Sequence, residues 1–312
     1  MPAVHFDPML DDAQRRERLF AGDILILRAT KSSLALVELA RQMLEEAFAP
    51  RDPRLVHRHR TAEEVAGILS RMKPAFIHHP ECKRLIVAMM EEQGIDLDKL
   101  YFDVPRMRSA YPAHFLSSGI AYAYHPHRDT WYSAPMCQIN WWMPIYPVEP
   151  GNAMGLYTKY FDEPVKNNSD VYNYYDWNTV GRATAAQYIK SDTRVQPKPQ
   201  EMLRGPTLQF LPPPGGMILF SAAHLHETVP NTTEVARYSI DFRTIDLDDA
   251  AARRGAPNVD SHSTGTTLRD FVCAADGEVL PEEIIRLYDD GTATADKILR
   301  FGDRLLHTET TA

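Results

Sequence analysis

Cysteine is scarce in this chain of 312 residues. Its three cysteines, Cys82, Cys137 and Cys273, lie far apart and form no CxxC pair. That spacing fits neither a disulfide framework nor a cysteine-based structural zinc site. The first twenty residues also lack the apolar run of a secretion signal, and the strongest run nearby, Ile24 to Leu27, is strand-sized. We therefore expect a soluble, cytoplasmic protein that does not enter the membrane.

Basic charge is also lacking. The formal net charge is -8, and the nearest approach to a basic segment is the short run from Arg54 to Arg60. Binding to nucleic acid requires a basic face that neutralises phosphates, so we expect no nucleic-acid partner. Hydrophobic residues at 44% and charged residues at 24% are close to the averages for globular proteins. No internal repeat is present, so the chain is expected to fold as an ordinary globular protein.

The first hundred residues have the apolar spacing of amphipathic helices. Residues 31–49 carry apolar side chains at helical intervals. Thr61 and Glu64 form a capping-box pattern ahead of a second helix, and Pro80 opens a third that Gly94 can close. The N-terminal part is therefore predicted to be mostly helical.

From about residue 101 the sequence becomes typical of antiparallel β-structure. Short segments rich in β-branched and aromatic residues alternate with Pro, Gly and Asn. In residues 136–146 both faces are apolar or aromatic, which predicts a strand buried on both sides of a sandwich or barrel wall. Together with the helices, this predicts an α+β fold. The strand candidates are 103–110, 119–125, 136–146, 207–211, 216–221 and 236–244.

Two further segments are set apart by composition. Residues 160–204 form a long polar and aromatic insertion between strand candidates, which predicts either a lid over a pocket or a dimer contact. After residue 246 a polar linker leads to helical segments around 281–289 and 294–306, which could pair in a homodimer. We interpret residues 1–312 as one domain, with a helical part (1–100), a β-core (101–245) and a helical tail (246–312).

Candidate metal ligands occur in two places. His127 and Asp129 are separated by one residue at the end of a strand candidate, so both side chains can face one ion. About a hundred residues downstream, an apolar strand that starts at a Gly-Gly turn ends in His224 and His226, and either could supply a third ligand. Two histidines and one carboxylate form the facial triad of non-haem Fe(II) sites, with three open positions. Zinc would more naturally have a fourth protein ligand or retain a water in a hydrolytic site.

Arg237 adds a third element on the following strand candidate. Its guanidinium offers a planar fork for a carboxylate. A keto acid that chelates iron at one end and carries a second carboxylate at the other would need such a fork. Adjacent strands can bring Arg237 and the histidines into one barrel mouth.

These segments resemble the Fe(II)/2-oxoglutarate oxygenase superfamily, in particular its phytanoyl-CoA dioxygenase-like branch, over roughly residues 100–245. That branch places a hydroxyl residue two positions, an asparagine five positions and an arginine eleven positions after its second histidine. Counted from His226, these residues are Thr228, Asn231 and Arg237. Counted from His224, the same offsets meet His226, Val229 and Val235, so the register selects His226. The family's Pro-Gly-Ser-His stretch after the first metal strand is absent.

The resemblance implies a double-stranded β-helix, that is, a jelly-roll or cupin-like barrel. It also implies Fe(II), 2-oxoglutarate as cosubstrate and O2. His127, Asp129 and His226 would be the metal ligands and catalytic residues. Arg237 and Thr228 would bind the cosubstrate beside Trp142.

The implied reaction is hydroxylation of an unactivated C–H bond with release of succinate and CO2. Related halogenases have Gly or Ala in place of the carboxylate ligand, whereas this chain keeps Asp129. We expect a small-molecule substrate, an amino acid or a specialised metabolite. Aromatic residues on sheets belong more often to the core than to a binding site, but several near the metal motif are candidates for lining the pocket: Tyr122, Tyr124, Arg128, Trp131, Tyr132 and Asn140.

Three other readings remain open at this point. A cupin-type or hydrolytic metal enzyme would have the barrel and the histidines but no need of Arg237. A metal-free small-molecule binding module would treat the three candidate ligands as ordinary polar residues. A structural subunit would use the 160–204 insertion and the C-terminal helices as interfaces.

Overall fold

The computed structural model describes residues 2–116, 125–181, 196–205 and 207–289. No helix within these ranges is long and apolar enough to cross a membrane. The predicted helix at 31–49 and the two predicted to begin near Thr61 and Pro80 are confirmed, and the strand-sized run Ile24 to Leu27 is a strand, whereas the polar helix and the short strand that precede this run were not predicted. The N-terminal elements are β1 (Val4–Phe6), α1 (Asp12–Phe20), β2 (Ile24–Leu27), α2 (Lys31–Phe48), α3 (Ala62–His78) and α4 (Pro80–Glu92).

The remaining elements are mainly strands, as the change of composition near residue 101 predicted. Four strand candidates are confirmed with shorter bounds and 236–244 with an end two residues later, whereas 119–125 falls almost wholly outside the described residues. The predicted tail helix at 281–289 shortens to four residues, and the one at 294–306 also lies outside them. The elements are β3 (Leu100–Phe102), β4 (Arg106–Ala110), β5 (Ile139–Pro144), β6 (Met154–Leu156), α5 (Tyr174–Asp176), β7 (Leu208–Gln209), β8 (Met217–Ser221), β9 (His226–Thr228), β10 (Arg237–Asp246), α6 (Leu247–Ala251), β11 (Val272–Cys273) and α7 (Glu282–Ile285).

The strands form one large and one small sheet. The large sheet has the order β1-β2-β8-β5-β10-β3-β11, with β4 also paired to β10, and the small sheet has the order β7-β6-β9. Every pairing is antiparallel except that of β1 with β2. The predicted combination of helices with a large antiparallel sheet is therefore confirmed.

The large sheet is buried on both faces. Its outer face joins the main hydrophobic core with the N-terminal helices, to which Trp141 and Ile240 contribute. On its inner face, Trp142 and Phe220 pack with Met154 of the small sheet. Strand β5, which lies within the predicted strand 136–146, is largely apolar on both faces because each face packs against a partner of its own.

The inner face of β10 is polar, although it is buried between the two sheets. Arg243 pairs in register with Asn140 of β5, and Asp241 pairs with Trp142. Arg237 begins the strand opposite Ala110 of β4. Since side chains alternate along a strand, Arg237, Asp241 and Arg243 point to the same side of the sheet. All three line a cavity between the two sheets.

Candidate metal centre and cosubstrate pocket

A backbone bridge holds two histidines opposite each other. The amide of His127 donates to the carbonyl of His226 and the amide of His226 donates to the carbonyl of His127, both at 2.9 Å. His226 begins β9, and the centres of the two imidazole rings lie 4.3 Å apart. Residues about a hundred positions apart in sequence are thus fixed as close neighbours.

Backbone carbonyls also set the orientation of both rings. Nδ1 of His127 lies 2.8 Å from the carbonyl oxygen of His125, and Nδ1 of His226 lies 3.0 Å from that of His224. A carbonyl only accepts, so each Nδ1 carries the hydrogen and the unprotonated nitrogen of the neutral ring is Nε2. Burial, with the neighbouring His127, lowers the pKa of His226 to about 3. His226 is therefore neutral at physiological pH, as a metal ligand must be.

Asp129 completes the cluster. Its Oδ1 lies 3.5 Å from Nε2 of His127 and 3.9 Å from Nε2 of His226. The three ligand atoms lie within 4.8 Å of one another, and all three residues are buried. Two imidazole nitrogens and one carboxylate oxygen are a donor set suited to a divalent transition metal.

The local backbone differs from the predicted strand. Asp129 starts a short 3-10 helix, Asp129–Tyr132, rather than continuing an extended segment. Arg128 is nevertheless extended, with φ -105° and ψ 144°. One extended residue is enough to direct the side chains on either side of it to the same face. His127 and Asp129 therefore point to the same side, as predicted.

The second carboxylate oxygen of Asp129 faces polar protein groups. Its Oδ2 accepts a hydrogen bond from Nε2 of Gln138 at 3.1 Å and lies 3.5 Å from Nε of Arg243. Burial raises the pKa of Asp129, but the positive charge of Arg243 opposes that effect and the pKa lies well below its usual range. The carboxylate is therefore ionised at any pH at which the protein would bind a metal.

Arg237 lies in the same cavity, buried and only partly satisfied. Its Nη2 donates to Oγ1 of Thr228 at 3.2 Å, which joins β10 of the large sheet to β9 of the small one. Its Nε and Nη1 have no hydrogen-bond partner in the part of the chain that the structure describes, although Arg237 is only 4% exposed. Burial lowers its pKa to about 10, so the guanidinium is still charged at neutral pH. The ring of Trp142 lies beneath it, 5.7 Å from Cζ.

The cavity has a volume of about 600 Å³, which is within the range of small-molecule sites. The candidate ligands, Arg237, Thr228, Trp142, Asn140 and Tyr132 all line it, so these predicted residues are brought together. The 160–204 insertion contributes Tyr172, Tyr174 and Trp177 to the wall.

No family model matches the sequence, and neither does any curated protein. Solved structures match at low similarity. EvdO2 from Micromonospora carbonacea var. aurantiaca, complexed with 2-oxoglutarate, is 13% identical with a TM-score of 0.44, over 79% of this chain and 94% of that one. AviO1 from Streptomyces viridochromogenes Tue57 is 13% identical with a TM-score of 0.38, over 81% and 99%.

The epimerase SnoN, in complex with Fe3+, alpha ketoglutarate and nogalamycin RO, is 14% identical with a TM-score of 0.37, over 76% of this chain and 85% of that one. All three TM-scores are below 0.5, so these structures do not show what this protein does.

Two of the predicted pocket residues lie behind the wall instead of on it. Arg128 is 1% exposed, and its Nε donates to Asp260 at 3.1 Å. Nε1 of Trp131 donates to the same carboxylate at 2.7 Å. Neither residue lines the cavity. The structure therefore places both side chains outside the predicted pocket; for Arg128 the reason is its extended backbone, which turns the side chain away from the metal cluster.

The remaining predicted residues lie away from the cavity or outside the described part of the chain. His224 is fully buried, and its Nε2 lies 2.9 Å from the carbonyl oxygen of Gly22, so it contacts the protein interior rather than the cluster. Asn231 donates from its side chain to the carbonyls of Ala110 and Val235, which orders the turn before β10. Tyr122 and Tyr124 lie outside the described residues.

Several cavity residues were not predicted. Gln138 and Arg243 hold Asp129, as described above. Arg108 and Asp241 form an ion pair on the inner face, with Nε and Oδ1 2.7 Å apart. Lys73 of α3 donates to Ser109 at 3.2 Å, and burial, with Arg108 nearby, lowers its pKa to about 7. For the residues of β10 the sequence did contain a signal. Every second residue from 237 to 243 is polar and the residues between them are apolar or aromatic, which indicates a strand with one polar face.

Proposed function

We propose that this protein is a non-haem Fe(II)- and 2-oxoglutarate-dependent oxygenase. The observation that carries the proposal is the combination of two features in one cavity. His127, Asp129 and His226 converge on one point, and Arg237 offers two unpartnered nitrogens beside Thr228. A metal site alone would fit many enzymes, but a metal site with a buried carboxylate fork fits a chelating dicarboxylate.

The donor set favours iron over a structural metal. His127, Asp129 and His226 would supply three ligands and leave three positions open on an octahedral ion, as in facial-triad oxygenases. A structural zinc site is normally closed by four protein ligands. Within the described residues, no other cluster of three His, Cys, Asp or Glu side chains has such spacing.

The far end of the cosubstrate has a matching environment. The Nε and Nη1 atoms of Arg237 are buried without acceptors among the described residues, which is costly unless a ligand completes their hydrogen bonds. The hydroxyl of Thr228 and the face of Trp142 border the same guanidinium. These residues would hold the distal carboxylate of 2-oxoglutarate.

Bound iron and 2-oxoglutarate would supply the oxidising chemistry, with O2 consumed and succinate and CO2 released. The protein would orient the ligands, exclude water and position the substrate. Asp129 stands where related halogenases have Gly or Ala, which favours hydroxylation. Tyr132, Tyr172 and Trp177 would offer aromatic surface to a small-molecule substrate such as an amino acid or a specialised metabolite.

The proposal includes the fold that goes with this chemistry. We infer a double-stranded β-helix within one domain spanning residues 1–312, of the phytanoyl-CoA dioxygenase-like type. The two facing sheets with the candidate site between them support this inference. We also propose that the helical segments after residue 246 pair in a homodimer.

The test is succinate formation. Purified protein with Fe(II), 2-oxoglutarate and O2 should form succinate slowly without substrate and faster with the correct small molecule. Asp129→Ala should abolish both rates, because a charged ligand is lost. Asp98→Ala, which alters an exposed carboxylate, is the matched control and should behave as wild type. Metal binding without succinate formation by the wild type would favour a cupin-type enzyme that does not use 2-oxoglutarate.

A further inference from the structure

Gln138 stands directly behind the candidate metal ligand Asp129. It precedes β5, is 1% exposed and lines the cavity. Its Nε2 donates to Oδ2 of Asp129 at 3.1 Å and to Oδ1 of Asn140 at 2.9 Å. A side-chain amide nitrogen has two hydrogens, so both are used.

These two contacts determine which way the amide points. If the amide were flipped, its carbonyl oxygen would face the carboxylate of Asp129 and would repel it. The orientation of Gln138 is therefore fixed by the charge of Asp129. Its Oε1 has no partner among the described residues, so no competing hydrogen bond favours the flipped form.

Arg243 supports the same carboxylate oxygen from another strand. Its Nε lies 3.5 Å from Oδ2 of Asp129, and its Nη1 donates to Asp103 at 3.0 Å. Asp103 also accepts from the backbone amide of Arg243 at 2.8 Å. The guanidinium is thus anchored independently of any metal, and Oδ2 of Asp129 faces Gln138 and Arg243 while Oδ1 faces the histidines.

We propose that Gln138 is the positioning residue that makes Asp129 a single-oxygen metal ligand, with Arg243 as the second support. This inference rests on the proposed function. A carboxylate that bound through both oxygens would occupy a fourth position on the metal. By retaining Oδ2, Gln138 keeps three positions open for the cosubstrate and dioxygen.

The test compares metal affinity with cosubstrate affinity. Gln138→Met removes both donors at similar volume, and Co(II) titration should show binding weakened about 10–100-fold. Asn140→Ala removes only the second anchor of Gln138 and should weaken Co(II) binding less. Met107→Leu, on the cavity wall without a side-chain hydrogen bond, should match wild type within about twofold.

Protein stability separates positioning from general damage. At saturating Fe(II) without oxygen, the 2-oxoglutarate concentration that gives half of the charge-transfer absorption should be higher in Gln138→Met than in wild type although Arg237 is untouched, because the freed Oδ2 of Asp129 competes for a metal position that the cosubstrate needs. The thermal midpoint of the apoprotein should change little. Asn140→Ala provides the same comparison if Gln138→Met does not fold.

Co(II) affinity equal to wild type in both variants would overturn the inference. Equal losses of Co(II) affinity, 2-oxoglutarate affinity and thermal midpoint would overturn it as well, because Gln138 would then be structural. Failure of the wild type itself to bind Co(II) would refute the proposed function, and with it this inference. Normal wild-type binding with unaffected variants would refute the inference alone.

Discussion

The two faces of strand β10 are both buried, yet they differ in chemistry. The outer face carries Tyr238 and Ile240, which are fully buried in the main core with the N-terminal helices. The inner face carries Arg237, Asp241 and Arg243, which line the cavity. Burial of apolar groups stabilises a fold, whereas burial of charges is costly unless partners compensate for it. The outer face therefore contributes stability, and the inner face contributes a site.

The two faces also differ in how completely their polar atoms are hydrogen-bonded. On the outer face, the hydroxyl of Tyr238 lies 2.7 Å from that of Tyr111 and donates to the carbonyl of Pro53 at 3.0 Å. On the inner face, Nε and Nη1 of Arg237 are buried and have no hydrogen-bond partner among the described residues. Unsatisfied polar atoms in a folded protein call for an explanation, and a ligand that completes their hydrogen bonds is one.

The largest effect is expected on the outer face. Ile240→Ala should lower the free energy of unfolding by about 2–5 kcal/mol, because a fully buried side chain is removed from a packed core. Urea unfolding measures this loss. The folded fraction should bind Co(II) and 2-oxoglutarate with unchanged affinity, and a marked loss of either affinity would show that the two faces are not separable.

The next effect is expected at Arg237 on the inner face. Arg237→Ala should raise the 2-oxoglutarate concentration required by about 10–100-fold, since charge-assisted hydrogen bonds are lost, while Co(II) binding stays intact. Arg237→Lys keeps the charge but not the planar fork and should give an intermediate value. If Arg237→Ala lost metal as completely as Asp129→Ala, Arg237 would be structural.

The free energy of unfolding should depend on pH through His226, which lies on the cavity side. Burial lowers the pKa of His226 to about 3 in the folded protein, against an ordinary value of 6.5. The unfolded chain then binds more protons, so the apoprotein should lose stability as pH falls below about 6.5, by about 2 kcal/mol at pH 5 from this residue. Urea unfolding at pH 7 and pH 5 should give a smaller difference for His226→Ala than for wild type. An identical difference would contradict the assignment.

The smallest effect is expected at Ser239. Its hydroxyl is fully buried and has no partner within residues 2–116, 125–181, 196–205 and 207–289, so Ser239→Ala should leave stability unchanged or raise it by up to about 1 kcal/mol. A clear loss of stability or of cosubstrate affinity would mean that the hydroxyl has a role that the present hydrogen bonds do not reveal.

Local sequence signals predicted the helices and most strands well, because period and capping act within a few residues. Thr61 and Glu64 form the predicted capping box at the start of α3. For α2 the N-cap is Thr30, and Ser33 completes the capping box. Several hydroxyl residues stand side by side here, and composition alone does not decide which of them is the cap.

Within the site, spacing predicted which side chains meet but not what supports them. The separation of His127 and Asp129 by one residue places both on one side even though Asp129 begins a 3-10 helix. The hydrogen bond from Gln138 to Asp129 and the ion pair of Arg243 depend on strand pairing across the sheet. These contacts could not be read from local sequence, because register between distant strands is a tertiary property.

Charge-transfer absorption is the most direct test of the central claim. Fe(II) and 2-oxoglutarate, added without oxygen to the apoprotein, should give a weak visible band that requires both additions. His226→Ala should abolish the band, whereas His224→Gln should retain it, because His224 faces Gly22 rather than the metal cluster. A wild-type protein that binds iron but gives no band, or a band that survives in His226→Ala, would contradict the assignment of this cavity as an Fe(II)/2-oxoglutarate site.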